Sequence, residues 1–484
     1  MQNATDDQLR QHLERPLHRG HVPADACTGA AGGAACGDLI RISLSLDGAS
    51  DDGRIADAGF DASGCGATLA AGSATVGLIG GASLLGAARI GVREIADELG
   101  GLSAAKRHAA ELAADALHRA LGQAARERAR LAPCASRTLV AMSGGVDSAV
   151  AALLVAREGR EAVAVTLELW SDPQNDGESS CCSAQAVRGA RALAHDLGMA
   201  HLSIDLRAEF RAGVVDGWLE DHRAGLTPNP CVRCNGSVRL DAMLELGSRL
   251  GAGTLATGHY ARVQDGRLLR MASDVAKDQS YVLSALSPAS LARLRFPLGA
   301  MRKSQVRELA EQAGLAVARK ADSQDLCFLA GTRHSDFLKR HGDLGERPGA
   351  IVDGQGTVLG EHRGAHSYTV GQRHGLGIGA SEPLYVLETD AQANTVTVGP
   401  RSALLATGLP VRELTLHRHG ECVDGVRVRS HGRRLDCRLA RGLAPGRHAR
   451  ARIELTQPAE RTAPGQIACL YAGELVVGYG TIAS

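Results

Sequence analysis

The sequence predicts a mixed α/β chain of several domains, with a parallel sheet at its centre and small β modules after it. The chain has 484 residues, which corresponds to roughly three domains of ordinary size. Residues 137–197 alternate apolar runs with helical segments, a pattern typical of parallel strands joined by crossover helices. From about residue 335 short strands follow one another between glycines, which favours small β sheets or barrels.

Composition indicates a folded chain without an export signal. Hydrophobic residues make up 44%, charged residues 22%, and the formal net charge is +1. These values are typical of globular proteins rather than disordered ones. The first sixteen residues are polar and include three acidic ones, unlike a signal peptide, so we expect a cytoplasmic protein. Residues 64–88 are uncharged but rich in Gly and Ala, which predicts a loop and a buried helix rather than a membrane span.

The first domain is expected to end near residues 130–136. A helical pattern covers residues 103–121 and continues into a run rich in Ala and Arg, which Pro133 interrupts before the next strand. The predicted domains are 1–130, an α+β module; 136–335, the domain with the parallel sheet; and two β modules, 336–400 and 401–484.

The last module is the only clearly basic part of the chain. Residues 401–484 contain 13 arginines and 7 acidic residues, whereas the rest of the chain is close to neutral. Such a module predicts contact with a polyanion such as RNA. A solvated, arginine-rich face without a partner is the alternative.

A glycine-rich loop follows the apolar strand RTLVAM and opens a helix. It reads SGGVDS at residues 143–148. Glycines let backbone N–H groups approach an anion closely, and the helix N-terminus adds unpaired donors and a positive dipole end. The loop lacks the Lys of a P-loop and the spacing of GxGxxG. It resembles the loop of the ATP pyrophosphatases, which implies that ATP is split into AMP and pyrophosphate while a substrate oxygen is adenylated.

Cysteines indicate metal or sulfur chemistry. Twelve of them in a chain without an export signal are more typical of such sites than of structural disulfides. Cys231 and Cys234 form C-x-x-C in a proline-rich loop, and Cys327 lies in SQDLCF. Alone, C-x-x-C fits half a zinc site, a redox dithiol or part of a cluster site. Cys181 and Cys182 would complete a zinc site, or are plain thiols nearby.

Six segments resemble the bacterial tRNA-specific 2-thiouridylase family (MnmA) in order and spacing over residues 136–484. They read SGGVDS, TPNPCVRCN, ATGHYARV, KDQSYVL, SQDLCF and SYTVGQRHGLGI. That family adenylates O2 of the wobble uridine in certain tRNAs and replaces this oxygen by sulfur. The resemblance implies an enzyme that uses ATP and Mg²⁺, with tRNA and a sulfur donor such as a cysteine desulfurase as partners, and no membrane.

The resemblance also implies roles for single residues. ATP would contact Ala141, Met142, Ser143, Gly144, Gly145, Val146, Asp147, Ser148, Leu167 and Gly258. The tRNA would contact Asn229, Pro230, Cys231, His259, Lys277, Asp278, Gln279, Arg429 and Gln466. Cys234 would be the nucleophile and Cys327 its sulfur-bearing partner, while Asp147 would orient the loop and the pyrophosphate or magnesium. Ser430 stands where the family has an aromatic residue after Arg429.

Cys231 distinguishes two mechanisms within that family. Many members have Asp at this position and work through a persulfide and a transient disulfide. Here Cys231, Cys234 and Cys327 give three thiolates, and three thiolates on a four-iron cubane leave one iron open to carry hydrosulfide. The resemblance therefore implies the subclass that depends on a 4Fe-4S cluster. A metal-free persulfide route and a zinc site are the alternatives.

Residues 8–122 resemble the IscU/NifU iron-sulfur scaffolds, in which three cysteines and an Asp or His hold a nascent cluster. The matching ligands are Cys36, Asp38, Cys65 and His108. Ala109 takes the place of the third cysteine, and Cys27 is an additional candidate donor. The remaining set fits a 2Fe-2S cluster or Zn²⁺. A degenerate scaffold that only docks a cysteine desulfurase is the alternative.

The function predicted from these features is a tRNA 2-thiouridylase with a scaffold-like module for cluster or sulfur supply. Two other classes share some of the features. An amide synthetase that uses the same ATP loop would not need Cys234, and a non-catalytic iron-sulfur carrier would bind ATP without releasing AMP.

Overall fold

The computed structural model describes residues 2–32, 37–172, 183–265, 267–322, 326–329 and 331–484, with the backbone alone for residues 2–6. Cys36, Cys181 and Cys182 lie outside the described residues. The predicted mixed α/β class, with an N-terminal α+β domain, a central parallel sheet and C-terminal β domains, is confirmed. The exact domain limits stay a prediction. Within the described ranges no helix is both long and apolar enough to cross a membrane.

The N-terminal domain is a three-stranded antiparallel sheet covered by helices. Its elements are α1 Gln2–Glu14, β1 Cys27–Gly32, β2 Leu39–Leu46, β3 Ile55–Ser63, α2 Gly66–Ile79, α3 Leu84–Ala87, α4 Val92–Glu98 and α5 Arg107–Glu127. The strands lie in the order β1-β2-β3, and α5 packs on β1 and β2. Helix α2 is the buried helix predicted within residues 64–88.

The central domain holds a five-stranded parallel sheet in the order β10-β7-β4-β5-β6. Its elements are β4 Cys134–Ala141, α6 Val146–Arg157, β5 Glu161–Glu168, α7 Ala184–Asp196, β6 Ala200–Asp205, α8 Arg207–Phe210, α9 Asp216–Arg223, α10 Pro230–Arg233, α11 Asp241–Arg249, β7 Ala252–Ala256, β8 Ala261–Gln264, β9 Leu268–Met271, α12 Pro288–Leu291, β10 Leu294–Arg295, α13 Lys303–Gln312 and α14 His334–Gly342. The strand order reverses at β4, and ligands of such sheets bind at the carboxyl ends of strands where the order reverses.

The C-terminal half contains two β modules. A four-stranded sheet, in the order β12-β11-β14-β13, consists of β11 Gly349–Val352, β12 Val358–His362, β13 Tyr385–Asp390 and β14 Thr395–Gly399. The barrel consists of β15 Leu405–Leu416, β16 Gly425–Arg427, β17 Leu435–Leu439, β18 Gly446–Glu460, β19 Ile467–Ala472 and β20 Leu475–Ile482. Strand β15 pairs with both β18 and β20, which closes the ring.

One predicted strand is wrong. The segment SYTVGQR, residues 367–373, begins at the end of a short 3₁₀ helix and continues as a turn without regular structure. Gly371 has a φ of +88°, a conformation that extended β structure does not use, so the chain turns here instead of pairing.

The barrel sheet includes two strands from the central domain. The hairpin β8–β9 extends it, because Leu475 of β20 pairs with Arg270 of β9. Glu474 accepts hydrogen bonds from Arg262 at 3.0 Å and from Arg270 at 2.8 Å. The barrel and the central domain therefore share one continuous sheet.

Helix α5 joins the N-terminal domain to the central one. It lies against β6 so closely that a side chain at Gly122 would collide with the carbonyl oxygen of Ser203. Asp115 on α5 accepts hydrogen bonds from Arg188 at 2.7 Å and Arg191 at 2.6 Å, both on α7. Arg191 is 3% exposed, so this ion pair is a buried part of the contact. Close packing and a buried ion pair together hold the N-terminal domain against the central domain.

Candidate active site and metal centres

The glycine-rich loop lies between β4 and α6, at the carboxyl edge of the parallel sheet. The Ser148 hydroxyl accepts hydrogen bonds from the backbone N–H and the hydroxyl of Ser143, both at 3.2 Å, and donates to the Gly145 carbonyl at 3.0 Å. Gly144 has a φ of +71°, which favours glycine. This fixed turn directs the first N–H groups of α6 towards the end of the sheet, as an anion site requires.

The other residues predicted to bind the nucleotide surround this loop. Ala141 ends β4, Met142 donates its N–H to the Val165 carbonyl, Val146 begins α6, and Leu167 is buried in β5. Gly258 follows β7, and a methyl group on it would lie 2.7 Å from the Asp147 carbonyl carbon and the Ser148 nitrogen. Because only glycine fits there, Gly258 belongs to the wall of the loop.

A network of charges lies beside the loop. Lys303 donates to both carboxylate oxygens of Asp147, at 2.7 and 2.8 Å, and contacts Asp322 at 2.9 Å. Lys277 donates to the other oxygen of Asp322 at 2.9 Å. The Tyr260 hydroxyl donates to Asp147 at 2.8 Å, and burial followed by the charge of Asp147 raises the pKa of Tyr260. Asp147 is therefore held in place by a cation and a phenol.

The network contains more positive than negative groups. Arg307 also donates to Asp322, at 2.9 Å, and Lys320 donates to the Gly144 carbonyl at 3.0 Å. Burial opposes the ionisation of Asp322, but hydrogen bonds from Lys277 and Lys303 outweigh it and lower its pKa to about 2. Excess positive charge beside the glycine-rich loop at residues 143–148, called the phosphate loop below, is what binding of a polyphosphate requires.

Sequence reasoning missed most of this network. Tyr260, Lys303, Arg307, Lys320 and Asp322 were not predicted, because none lies in the loop motif. A usable signal was the scarcity of lysine, since the whole chain has 5 lysines beside 49 arginines. Lys277, Lys303 and Lys320 are three of those five, and all reach this one site.

The C-x-x-C segment begins helix α10. Asn229 caps the helix by accepting the Cys231 N–H at 3.1 Å, and Pro230 occupies its first turn. Helical structure continues from α10 into the π-helical segment Cys234–Leu240. Residues three apart share a helix face, so Cys231 and Cys234 present their thiols to one side. Cys234 is 7% exposed, and burial raises the pKa of Cys231.

Cys327 is positioned by an aromatic cluster. Its neighbour Phe328 packs on Trp218 and Phe337, with ring centroids 5.2 and 5.1 Å away, and Trp170 and Phe210 complete the cluster. These five residues include both tryptophans and three of the five phenylalanines of the chain. Cys327 itself is partly buried against the same hydrophobic core that includes Cys234.

The three thiols are not arranged around one small ion. Thiolates on a single zinc would lie about 3.8 Å apart. Among the described residues, the groups of donor atoms that all lie within 4.8 Å of one another do not include Cys231, Cys234 or Cys327. The prediction of a cluster at these residues is not tested by this spacing, because ligands of a multi-iron cluster bind different irons.

One short segment connects the charge network with the cysteine loop. Lys277 belongs to the network. Four residues later, Tyr281 contacts Asn229 in the loop that carries Cys231 and Cys234, called the cysteine loop below. Four residues span at most about 14 Å. Gln279 accepts the N–H of Tyr260 at 2.9 Å, which anchors the segment between its two ends. This segment therefore links the charge network to the loop of Cys231 and Cys234, and the proximity of the nucleotide and sulfur sites stays a prediction.

Of the residues predicted to contact tRNA, Asp278 lies inside the protein and His259 is partly buried. Asp278 is 4% exposed and accepts a hydrogen bond at 2.6 Å from Arg427, a buried residue of the barrel. Burial lowers the pKa of His259 to about 3, and its Nδ1 lies 2.9 Å from the Thr257 hydroxyl. Asp278 thus joins two domains and His259 is neutral, and their contact with RNA stays a prediction.

Arg429 and Gln466 line a cavity of about 360 Å³ between the two β modules. The segment Thr369–Gln372 forms another wall of the cavity. Gln466 donates to the Thr227 carbonyl at 2.7 Å, and Thr227 donates its N–H to Pro464 at 2.8 Å. The barrel therefore contacts the cysteine loop directly at this cavity.

A second donor cluster lies in the N-terminal domain. One ligand atom each from Asp38, Cys65 and His108 falls within a group whose members all lie within 4.8 Å of one another. Asp38 accepts the Thr68 hydroxyl at 2.7 Å and the Cys65 N–H at 3.0 Å, and His108 Nε2 lies 3.2 Å from it. The hydrogen bond from Thr68 is the main reason why the pKa of Asp38 is lowered to about 2. The three donors lie together, and the set is open to solvent at Cys65 and His108.

The structure excludes Cys27 as a ligand of this cluster. Cys27 pairs with Leu44, whereas Gly32 pairs with Leu39 beside Asp38. Five residues along a strand separate the two places, which is about 17 Å. Cys27 is also buried, which raises its pKa. That prediction is wrong because the strand carries Cys27 to the far end of the sheet, and Ala109 is fully buried where the scaffolds have a cysteine.

Family models cover nearly the whole chain. They match the NifU-like N-terminal domain over residues 4–130, the tRNA methyl transferase HUP domain over 136–331, its PRC-barrel domain over 335–400, and the aminomethyltransferase β-barrel domain over 412–482. The bifunctional protein NifU/MnmA of Rubrobacter xylanophilus is 42% identical over 98% of this chain and 97% of its own length. The chain belongs to the NifU/MnmA family.

This membership confirms the resemblance predicted at both ends of the sequence. The tRNA-specific 2-thiouridylases MnmA of Thermobifida fusca and Methylorubrum extorquens are 44% and 43% identical. Each matches 72% of this chain, and the chain covers 95% and 94% of them, respectively. The chain thus contains a segment that matches nearly the full length of these MnmA relatives, together with a NifU-like N-terminal domain.

Proposed function

We propose that this protein is an ATP-dependent tRNA-uridine 2-sulfurtransferase that carries its own iron-sulfur scaffold domain. The observation that carries the proposal is the segment 277–281, which joins the charge network beside the phosphate loop to the cysteine loop. A nucleotide bound at one end would have its α-phosphate close to a base bound at the other. Membership in the NifU/MnmA family favours this function over an amide synthetase or a non-catalytic carrier.

The first step activates the uridine. Its O2 attacks the α-phosphorus of ATP, the bond to pyrophosphate breaks, and the N3 proton is released. The loop N–H groups, Lys303 and Lys320 neutralise the charge that develops on the phosphates. Mg²⁺ bound with ATP would use the carboxylate of Asp147, which Lys303 and Tyr260 already orient.

The second step replaces the activated oxygen. A sulfur nucleophile adds at C2, and AMP leaves with the former O2, so that 2-thiouridine remains. The chain offers the thiols of Cys231, Cys234 and Cys327 for this centre. Three thiols are the number of protein ligands that leaves one iron of a 4Fe-4S cluster open, and two of them share a helix face while Phe328 anchors the third. When bound, such a cluster supplies an iron that has no protein ligand.

The tRNA would bind across the barrel and the cavity at Arg429 and Gln466. Both line the cavity that contacts the cysteine loop, so a base extruded from the anticodon reaches the thiols from there. Exposed arginines of β18, among them Arg450 and Arg452, would hold phosphates. Arg412 pairs directly opposite Arg450, an arrangement of like charges that a polyanion would stabilise.

The N-terminal domain would supply a cluster or sulfur within the same chain. Helices α5 and α7 run side by side in one direction, since Glu111 contacts Arg188 and Asp115 contacts Arg191. His108 lies at the start of α5, three residues before Glu111. The start of α7 lies against the phosphate loop, where the Ala186 carbonyl approaches Gly144. Arg119 and Arg126 of the same helix contact Glu168 and Asp205, the last residues of β5 and β6, so α5 docks beside the sheet edge that holds the phosphate loop. A cysteine desulfurase or another donor would load the scaffold site.

Anaerobic turnover with nucleoside analysis tests this function. Protein purified without oxygen is mixed with an unmodified tRNA, ATP and sulfide, and the nucleosides are analysed by mass spectrometry. We expect 2-thiouridine and one AMP per thiolated base. AMP release that does not depend on tRNA, or no sulfur in the tRNA, contradicts the proposal. Iron and sulfide content of the wild type and of Cys231→Asp tests the cluster, and an active wild type without iron contradicts that part.

A further inference from the structure

A third group of donor side chains lies apart from both sites. His21 Nε2 is 2.6 Å from one carboxylate oxygen of Asp57, and His18 Nδ1 is 3.9 Å from the other. The ligand atoms of these three residues all lie within 4.8 Å of one another. They are partly exposed, with side-chain exposures of 54% for His18, 44% for His21 and 39% for Asp57. None of them belongs to the scaffold site, formed by Asp38, Cys65 and His108, or to the thiol centre, formed by Cys231, Cys234 and Cys327.

The backbone holds this group in place. The segment 18–21 runs along the edge strand β3, where Gly20 donates its N–H to Phe60 at 2.7 Å and Phe60 donates to the His18 carbonyl at 3.3 Å. His18 has a φ of +54°, which costs a non-glycine residue about 1 kcal/mol or more. Gly59 leaves no room for a side chain beneath the His21 carbonyl. A strained backbone fixed at both ends turns the two imidazoles towards the same carboxylate.

We propose that His18, His21 and Asp57 form a second metal site, which binds a divalent transition-metal ion of the zinc class. Two imidazoles and one carboxylate are donors that zinc takes with bond lengths of about 2.0–2.2 Å. Tetrahedral coordination with such bonds separates the donor atoms by about 3.4 Å. The observed spacing brackets that value, so rotation of the side chains is enough to admit the ion. Water would take the fourth position on the solvent side.

This site differs from the scaffold site in place and in chemistry. Asp57 lies six residues before Ser63 on β3, and Cys65 follows the end of that strand, so about 20 Å separates the two sites. The new site also has no sulfur donor. A bound ion would fasten the segment between α1 and β1 to β3, and this segment covers the open edge of the three-stranded sheet.

Titration of the full chain with Zn²⁺ alone and with Co²⁺ alone tests the site. The scaffold ligands are first removed by Cys65→Ser together with His108→Ala, and His18→Ala with His21→Ala is then added. We expect the two further histidine substitutions to lower zinc binding by one equivalent per chain. They should also remove a cobalt absorption band that has no sulfur-to-metal charge-transfer component. The matched control replaces two exposed barrel histidines, His419→Ala with His431→Ala, and leaves the stoichiometry unchanged.

Asp57→Asn is the second variant, because it keeps the shape of the side chain while it removes a charged ligand. We expect weaker zinc binding with an unchanged melting temperature in the absence of metal. If all variants bind as many zinc ions as their parent and give the same cobalt spectrum, the proposal is overturned. A lower melting temperature of the metal-free histidine variants with unchanged zinc stoichiometry also overturns it, since the group would then be only a hydrogen-bonded fastening.

Discussion

The scaffold site and the thiol centre hold their donors in opposite ways. At the scaffold site, donor atoms of Asp38, Cys65 and His108 already lie within coordination distance, and two of these residues are open to solvent. At the thiol centre, Cys234 is buried and Cys231 has a raised pKa, and the described groups of donor atoms within 4.8 Å of one another include none of its three cysteines. The first arrangement suits a group that is handed on, and the second suits a reaction from which water is excluded.

Under the proposed function, this difference would separate loading from chemistry within one chain. An open site exchanges its cargo readily, whereas a closed site needs the base and the nucleotide to come to it. Docking through α5 keeps the two sites in fixed relation, so neither has to find the other by diffusion. The following predictions test this division.

The largest effect is expected at Cys234. Cys234→Ser removes a thiol of the closed site, and we expect at least about a 10³-fold loss of 2-thiouridine formation. Metal at the scaffold site should be unaffected, because that site uses none of these cysteines. Mass spectrometry of tRNA nucleosides measures thiolation. Metal analysis of the purified protein measures the metal bound at the scaffold site. Cys422→Ser, an exposed cysteine of the barrel, serves as the control. Equal activity of both variants contradicts the assignment.

Lys303 is the next target. Lys303→Met removes the cation that holds Asp147 and faces the phosphates, and we expect AMP release to slow by about 10²-fold. Release of AMP during thiolation is measured at saturating ATP and tRNA. Lys339→Met, an exposed lysine of α14, should retain wild-type rates. A change confined to the KM for tRNA would place Lys303 outside the phosphate site.

The contact between the two regions can be weakened directly. Asp115→Ala leaves Arg191 buried without its partner, which costs about 3–5 kcal/mol. The free energy of the first urea unfolding transition should fall accordingly, with earlier proteolysis of the N-terminal domain. Asp61→Ala breaks an exposed pair with Arg41 and should cost no more than about 1 kcal/mol. Similar losses in both variants would show that α5 is not held by this pair.

Replacement of His108 tests whether the supply of sulfur or cluster depends on the scaffold site while catalysis does not. His108→Ala removes one of three assembled ligands, so we expect cluster or zinc affinity of the N-terminal domain to fall by about 10- to 100-fold. Thiolation with sulfide supplied in solution should change less than about twofold, because the thiol centre is intact. Thiolation supplied through the scaffold should fall. Equal losses with both sulfur sources would mean that the two sites are not divided in this way.

The smallest effect concerns acid stability. The pKa of Asp322 is lowered to about 2 in the folded protein, whereas an unfolded Asp titrates near about 3.9. A lowered folded-state pKa stabilises the protein above about pH 4, and this contribution disappears as the pH falls towards about 2. Unfolding of Asp322→Asn and wild type is compared between these limits. The difference in stability should shrink with falling pH, and a constant difference contradicts the charge network.

Local motifs were predictable because their meaning lies in adjacent residues. The loop at 143–148 needs glycines, a preceding strand and a following helix, and the structure shows all three. Asp38, Cys65 and His108 were also predicted, and the structure brings them together. Cys27 was offered as a donor from composition alone, and strand register decided against it.

Contacts between distant segments were not predictable. Lys303 and Lys320 reach the loop over more than 150 residues of chain, and nothing in their own neighbourhood marks them. Asp278 looked like a surface residue because it follows Lys277, yet Arg427 of the barrel buries it. Charged residues become structural when another domain covers them, and a single sequence does not show which domain does so.

The hairpin β8–β9 has a consequence for truncation. Its second strand, β9, lies between β8 and β20 of the barrel. Tyr260 and Lys277, which hold the carboxylates beside the phosphate loop, flank the hairpin on either side. A chain shortened before the barrel would leave β9 with unpaired backbone groups, an edge that invites aggregation. The ATP domain of this protein is therefore a poor unit for separate expression, and its boundary in space does not follow its boundary in sequence.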